Sequence, residues 1–160
     1  MRRTDKEITD PALIDWVIRQ AVVCRLGLSQ GGRAYIVPLS FGYDGRCIYF
    51  HTAAEGRKLE MLAANPHVCF ELEHDVHVIP HETRACAWSM SFYSVMGTGV
   101  VHEITAPDEK VAALQAIVGH YSPRTWDISA ADTQTVRVWR LEIAEMTGKK
   151  SKDKAAAADD

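Results

Sequence analysis

No apolar run in this chain approaches the roughly 20 residues that a membrane-spanning helix needs. The first ten residues, MRRTDKEITD, are charged and lack the apolar stretch of a signal peptide, so the cytoplasm is the expected compartment. Positive charge is not in excess either. Eighteen Lys and Arg against 21 Asp and Glu leave a net charge of −3, which argues against nucleic acid or an anionic membrane as partner. Cysteine is sparse, with four residues and no C-x-x-C pair. Cys24, Cys47 and Cys69 each fall inside an apolar run and read as reduced, buried thiols acting as small hydrophobes. Neither a Walker loop nor a G-x-G-x-x-G fingerprint is present; Gly97-Thr98-Gly99 lies inside a strand-like run with no helix after it.

What is there fits one domain of 160 residues with room for a real core. Asp10-Pro11 opens a helix, because Asp caps free N–H groups and proline suits the first helical position. Leu13, Ile14, Val17, Ile18 and Ala21 recur at helical spacing, which predicts a helix over 11–20. Strands are expected over 22–29, 35–41, 47–52, 67–73, 92–104 and 135–143, and further helices over 56–64 and 107–121. Asp44-Gly45 reads as a hairpin turn between the strands at 35–41 and 47–52. Residues 74–90 read as a long loop, 122–132 as a second one, and Gly97 and Gly99 as points where a barrel strand bends. The domain is expected to span 1–149. Residues 150–160, whose composition buries little apolar surface, read as a disordered tail.

Six strands against about three flanking helices, joined mostly by tight turns, point to a mainly β protein built as an antiparallel barrel. The strand at 35–41 is apolar on both faces: Tyr35, Val37, Leu39 and Phe41 on one, Ile36 and Pro38 on the other. Burial on both faces needs a second layer, and a symmetric homodimer is the simplest source of it. Pro38 cannot donate to a ladder, so it marks an edge or a bulge.

The stretch 33–73 carries the chemistry. A strand ends in His51-Thr52, and five residues after Thr52 the basic pair Arg57-Lys58 opens a short helix. Two cations in a first helical turn oppose the macrodipole, by about 0.3–1 kcal/mol each. A phosphate there reverses the sign, since free N–H groups and cations both favour it. The plain alternative is a solvated basic pair beside Glu55 and Glu60. His51 reads either as a packed strand-end residue or as a proton donor near neutral pH. His74, His77, His81 and Cys86 form a metal-like cluster whose spacing matches no compact zinc motif, so no metal is expected. Such a phosphate site best suits a cofactor that carries its own chemistry.

The segments RAYIVPLSFGYD, IYFHTAAEGRKLEMLAANPHVCF and SFYSVMGTGVV resemble the FMN-binding split-barrel family of pyridoxamine 5′-phosphate oxidase-like proteins, and most closely its Nim-type 5-nitroimidazole reductase branch. The likeness runs over about residues 2–149, and TGKKS after the last strand is similar to the same branch. It implies a six-stranded antiparallel split β-barrel that forms a homodimer, with one FMN in each of two clefts at the interface. On that resemblance Ile36, Val37, Pro38, Leu39, Ser40 and Phe41 line the flavin ring. His51 and Thr52 lie beside the ring and ribityl chain, and Arg57 and Lys58 hold the phosphate. Ser94 comes from across the interface, and Met146 and Thr147 approach the ring. The implied function is an FMN-dependent oxidoreductase that passes electrons from NAD(P)H or another reductant to a small-molecule acceptor such as a nitroimidazole or nitroaromatic. His51 is its candidate catalytic residue, and Trp88 and Tyr93 are candidate pocket walls.

The chain departs from true pyridoxamine phosphate oxidases by ending in KKSKDKAAAADD, without their basic, histidine-containing segment. Oxidation of pyridoxamine phosphate is therefore not expected. Tyr93 stands where relatives of the Nim branch often carry a charge, which leaves substrate choice open. Two rivals remain: a flavin- or haem-binding sensor or carrier without turnover, and a metal module on the histidine cluster.

Overall fold

A computed structural model describes residues 4–151 and 153. Three α-helices flank one antiparallel sheet. In chain order the elements are β1 (Glu7–Ile8), α1 (Pro11–Gln20), β2 (Cys24–Gln30), β3 (Arg33–Leu39), β4 (Gly42–Tyr43), β5 (Cys47–Thr52), α2 (Arg57–Ala64), β6 (His67–Ile79), β7 (Ser89–Ile104), α3 (Pro107–Tyr121) and β8 (Arg137–Lys150). The expected mainly β architecture is the one found. Helix α1 begins as its sequence requires, with the Asp10 carboxylate accepting from the Ala12 N–H at 2.9 Å and Pro11 in the first turn.

The strands run in the order β3-β2-β6-β7-β8-β5-β4, with β1 on the side of β8. Laid flat, that path covers six strand spacings of about 4.8 Å, roughly 29 Å. Its two ends, β3 and β4, are joined by Ser40 and Phe41 alone. Three Cα steps of 3.8 Å reach about 11 Å at most. The sheet must therefore curl until its ends meet. The end strands do not pair with each other, which leaves a split in the barrel.

Side-chain alternation fills the interior. Leu26 and Leu28 of β2, Phe70 and Leu72 of β6, Val95 of β7, Leu141 of β8, and Ile48 and Phe50 of β5 are all buried in one cluster. Each such side chain is worth about 1.5–3 kcal/mol when taken from water. Gly97 faces Phe70 across the β6–β7 ladder, where a Cβ would collide with the phenyl ring. Glycine is thus needed for the ring to fill the barrel, and the β7–β8 register shifts next to it, between Thr98 and Gly99.

Several expectations are corrected. The Asp44-Gly45 turn does not join the strand at 33–39 to the strand at 47–52. It joins β5 to the two-residue β4, while β3 pairs with β2 from Cys24↔Leu39 to Gln30↔Arg33. The turn chemistry is right and the partner is wrong, because Ser40-Phe41 carries the chain across the split first. The expected loop 74–90 is shorter, confined to 80–88: β6 continues to Ile79 and β7 starts at Ser89. A bulge at Asp75, with φ 51°, breaks the alternation there and hid the strand from a period-two reading. β8 likewise runs past Ile143 to Lys150. The expected tail therefore begins inside a strand. Ser151 is buried and its N–H donates to Phe92 O at 3.0 Å; residues 152 and 154–160 lie outside the described residues. Of the three strand thiols only Cys24 is fully buried; Cys47 is half-buried and Cys69 is exposed.

Candidate functional site

The split is bounded by the free edge of β3, which the first turn of α2 meets through Arg57 and Tyr35, and β5 ends at Thr52, five residues before Arg57 in the chain. β3 has a hydrogen-bonded neighbour on one side only, so alternate backbone N–H and C=O groups face away from the sheet. Pro38 sits on this edge strand, as a residue without an N–H should. Tyr35, Val37 and Leu39 turn toward the core, whereas Ile36, Pro38 and Ser40 are exposed. Phe41, at the crossing, is fully buried.

Helix α2 starts on Gly56, at φ 133°, with no side-chain cap for its first N–H groups. That φ is a region L-residues rarely enter, and nothing lies within 4 Å of where a Cβ would stand. Arg57 and Lys58 follow at once. Among the described residues neither forms an ion pair. Desolvation pulls the Lys58 ammonium below its ordinary pKa of 10.5. The Arg57 guanidinium lies over the Tyr35 ring, 5.0 Å from its centroid, and so ties the helix to the edge strand.

The two residues at the end of β5 face opposite ways. His51 is exposed on the outward side. Thr52 is buried; its hydroxyl donates to Ala53 O at 2.8 Å and accepts from Trp139 Nε1 at 3.1 Å. The Thr52 proton is therefore already committed inside the fold. Ser94 stands apart from these residues. It is half-buried on β7, and β2 and β6 separate that strand from β3 in the hydrogen-bonded order. Met146 and Thr147 pair with Gly97 and Met96 on the same central strands.

A separate hollow of about 610 Å³ lies on the outward sheet face, over Gly27, Ala34, Ile36, Cys69, Thr98 and Ala144. It contains none of Arg57, Lys58 and His51. The histidine cluster does not assemble. His81 Nδ1 accepts from the Thr83 and Arg84 N–H groups at 3.4 and 3.3 Å, and His74 packs edge-on against Trp16. Among the described residues no group of three or more His, Cys, Asp or Glu converges as a metal site.

Sequence reasoning missed three participants. Tyr35 was visible only as a strand residue, Trp139 lies 87 positions from Thr52, and Tyr121 reaches Phe41 over 80 positions. Gly27-Leu28-Ser29-Gln30-Gly31 also spells G-x-S-x-G. It belongs to β2 and its turn into β3, not to a strand-to-helix elbow, and Ser29 Oγ accepts from Asn65 Nδ2 at 3.3 Å.

The comparisons with known proteins bear on the family and the fold. The family described as pyridoxamine 5′-phosphate oxidase matches residues 10–150. The chain belongs to the pyridoxamine 5′-phosphate oxidase-like family. That family's fold binds flavin. A similar solved structure is a candidate 5-nitroimidazole antibiotic resistance protein from Bacteroides thetaiotaomicron. It is 34% identical, with a TM-score of 0.78 over 89% of this chain and 85% of that one. The flavocytochrome Anf3 from Azotobacter vinelandii shares the fold at 22% identity, with a TM-score of 0.78 over 94% of this chain and 72% of its own. An FAD and heme binding protein from Mycobacterium smegmatis does so at 19% identity, with a TM-score of 0.78 over 96% and 80%. No curated protein matches. Among the described residues of this family member, no helix is long and apolar enough to cross a membrane.

Proposed function

We propose that the chain is an FMN-dependent oxidoreductase of the Nim type, a cytoplasmic homodimer with one FMN in each of two clefts between the copies. The observation that carries this reading is Arg57-Lys58, with no ion pair among the described residues, at a start of α2 that no side chain caps. Two cations there oppose the helix macrodipole, and desolvation adds to the cost of charging Lys58. Both costs reverse when a phosphate sits against the free N–H groups. The open space at Gly56 leaves room for it.

Bound flavin supplies the electron transfer itself. This chain's residues hold and orient it. Arg57 and Lys58 take the phosphate. Outward backbone groups from Pro38 to Phe41 take the ring edge, with Ile36 and Val37 beside them on the strand. His51, exposed at the end of β5, orients the small-molecule acceptor or gives it a proton. Thr52 fixes that strand end through Trp139 rather than reaching out with its own proton. Ser94, distant in the strand order of its own chain, completes the cleft from the second copy. The apolar hollow on the outward face offers that copy a surface.

Absorbance and mass spectrometry of the purified protein test the cofactor, and anaerobic mixing with NADH, NADPH and then a nitroimidazole tests the reaction. A yellow dimer whose FMN is reduced and then reoxidised by the nitro compound supports the reading. A Soret band, or a protein that takes up no FMN, sinks it.

A further inference from the structure

The Ser40-Phe41 crossing is the covalent link between the two ends of the curled sheet, and one phenol holds it at Phe41. Tyr121, the last residue of α3, accepts from the Phe41 N–H at 3.0 Å and donates to Val22 O at 2.9 Å. A phenol has one proton and two lone pairs; the proton and one lone pair are in use in these two bonds. Burial lifts the Tyr121 pKa above its ordinary 10, against the lowering effect of the Phe41 bond, so the proton needed for Val22 is present at neutral pH. His120 supports the same crossing: its ring lies 4.2 Å from that of Phe41, centroid to centroid, and its Nε2 is 2.7 Å from Ala21 O.

Three chain segments thus meet at one oxygen: the crossing from β3 to β4, the entry to β2, and the end of α3. β2 is the neighbour of β3, so the phenol ties the far end of β3 to the strand that pairs with it. We propose that Tyr121 is the positioning residue of the flavin cleft: it sets the path of Ser40-Phe41, and through it the outward backbone of Pro38 and Leu39 that faces the cofactor. The consequence for the cofactor rests on the flavin reading above; the consequence for the backbone does not.

Tyr121→Phe removes the oxygen and keeps the ring. In the flavin-free protein, amide exchange at Phe41 should speed up while β6 and β7 stay protected. Titration of the variant with FMN should give affinity about fivefold weaker or more, as expected when a backbone donor loses its partner. Ile117→Val, a buried change on the same helix, should lower thermal stability and leave FMN affinity alone. Unchanged exchange at Phe41, or faster exchange with unchanged affinity, overturns the proposal. So does an equal loss of affinity in Ile117→Val, which would make the effect one of general helix stability. If the unmutated protein binds no FMN, the flavin reading fails in that titration, and this proposal falls with it.

Discussion

Arg57 and Tyr35 join the start of α2 to the edge of the sheet. The guanidinium stands 5.0 Å from the ring centroid, between the helix turn and the strand that frames the split. A cation held on an aromatic face keeps its hydrogen-bond donors free for an anion in the ring plane's neighbourhood. On the proposed reading the contact pre-places the guanidinium for a phosphate, beyond packing a surface residue.

Replacing both cations should remove the anchor. Arg57→Ala with Lys58→Ala is expected to weaken FMN binding at least tenfold, a loss of about 1.4 kcal/mol or more. Tyr35→Leu should weaken it by a smaller factor, about two- to fivefold, in line with an exposed cation–π contact of ~0.5–1 kcal/mol. Fluorescence titration with FMN measures both, and unchanged constants would remove the phosphate assignment.

His51→Ala should separate binding from turnover. The side chain is exposed and leaves the buried Phe50–Thr52 side of the strand untouched. FMN affinity is expected to stay within about twofold, while anaerobic reduction of a nitroaromatic acceptor slows by about 10²-fold, the lower end for loss of a general acid. Full activity in stopped-flow traces would reduce His51 to a strand-end residue.

Gly42→Ala tests the crossing from the other side. A Cβ at Gly42 would stand 2.5 Å from Ala116 C and from Ile117 N, in the backbone of α3, where nothing flexible can yield. Overpacking of this kind costs about 1–3 kcal/mol. Calorimetry should show a midpoint lower by about 2–12 °C, at 2–4 °C per kcal/mol for a domain of this size.

Glu103→Gln tests an ion pair through its pH dependence. The Glu103 carboxylate accepts from Arg137 Nε at 2.7 Å, and that bond holds its pKa below the ordinary 4.5. The folded value is depressed, so the stabilisation is present above the unfolded pKa of about 4.5 and is lost as pH falls through the folded value. Both side chains are about one-third exposed, which keeps the worth of the pair within about 1 kcal/mol. In urea titrations the wild type should exceed the variant at pH 7, and the gap should close below pH 4.

Local pattern made much of this readable. The Asp10-Pro11 start, the strands at 22–29 and 67–73, the Pro38 edge and the Arg57-Lys58 helix start all follow from near neighbours in the chain, and the structure has each of them. The errors came where local pattern was broken or incomplete. A bulge at Asp75 reversed the alternation of β6 and disguised a strand as a loop. The Asp44-Gly45 turn announced a hairpin correctly and concealed that its first strand was only Gly42-Tyr43.

The sequence by itself determined the elements, the faces that would be buried, and the residue types a phosphate would need, because helix and strand periodicity and capping act over a few residues. Only the tertiary structure decided which strand lies beside which, and so where the split opens. It also decided that Thr52 spends its hydroxyl on Ala53 and Trp139, and that Tyr121 closes the crossing at Phe41. Those partners are 80 or more positions apart for Trp139 and Tyr121. Contacts at such separations are set by the curl of the whole sheet, a constraint that no local stretch of the chain contains.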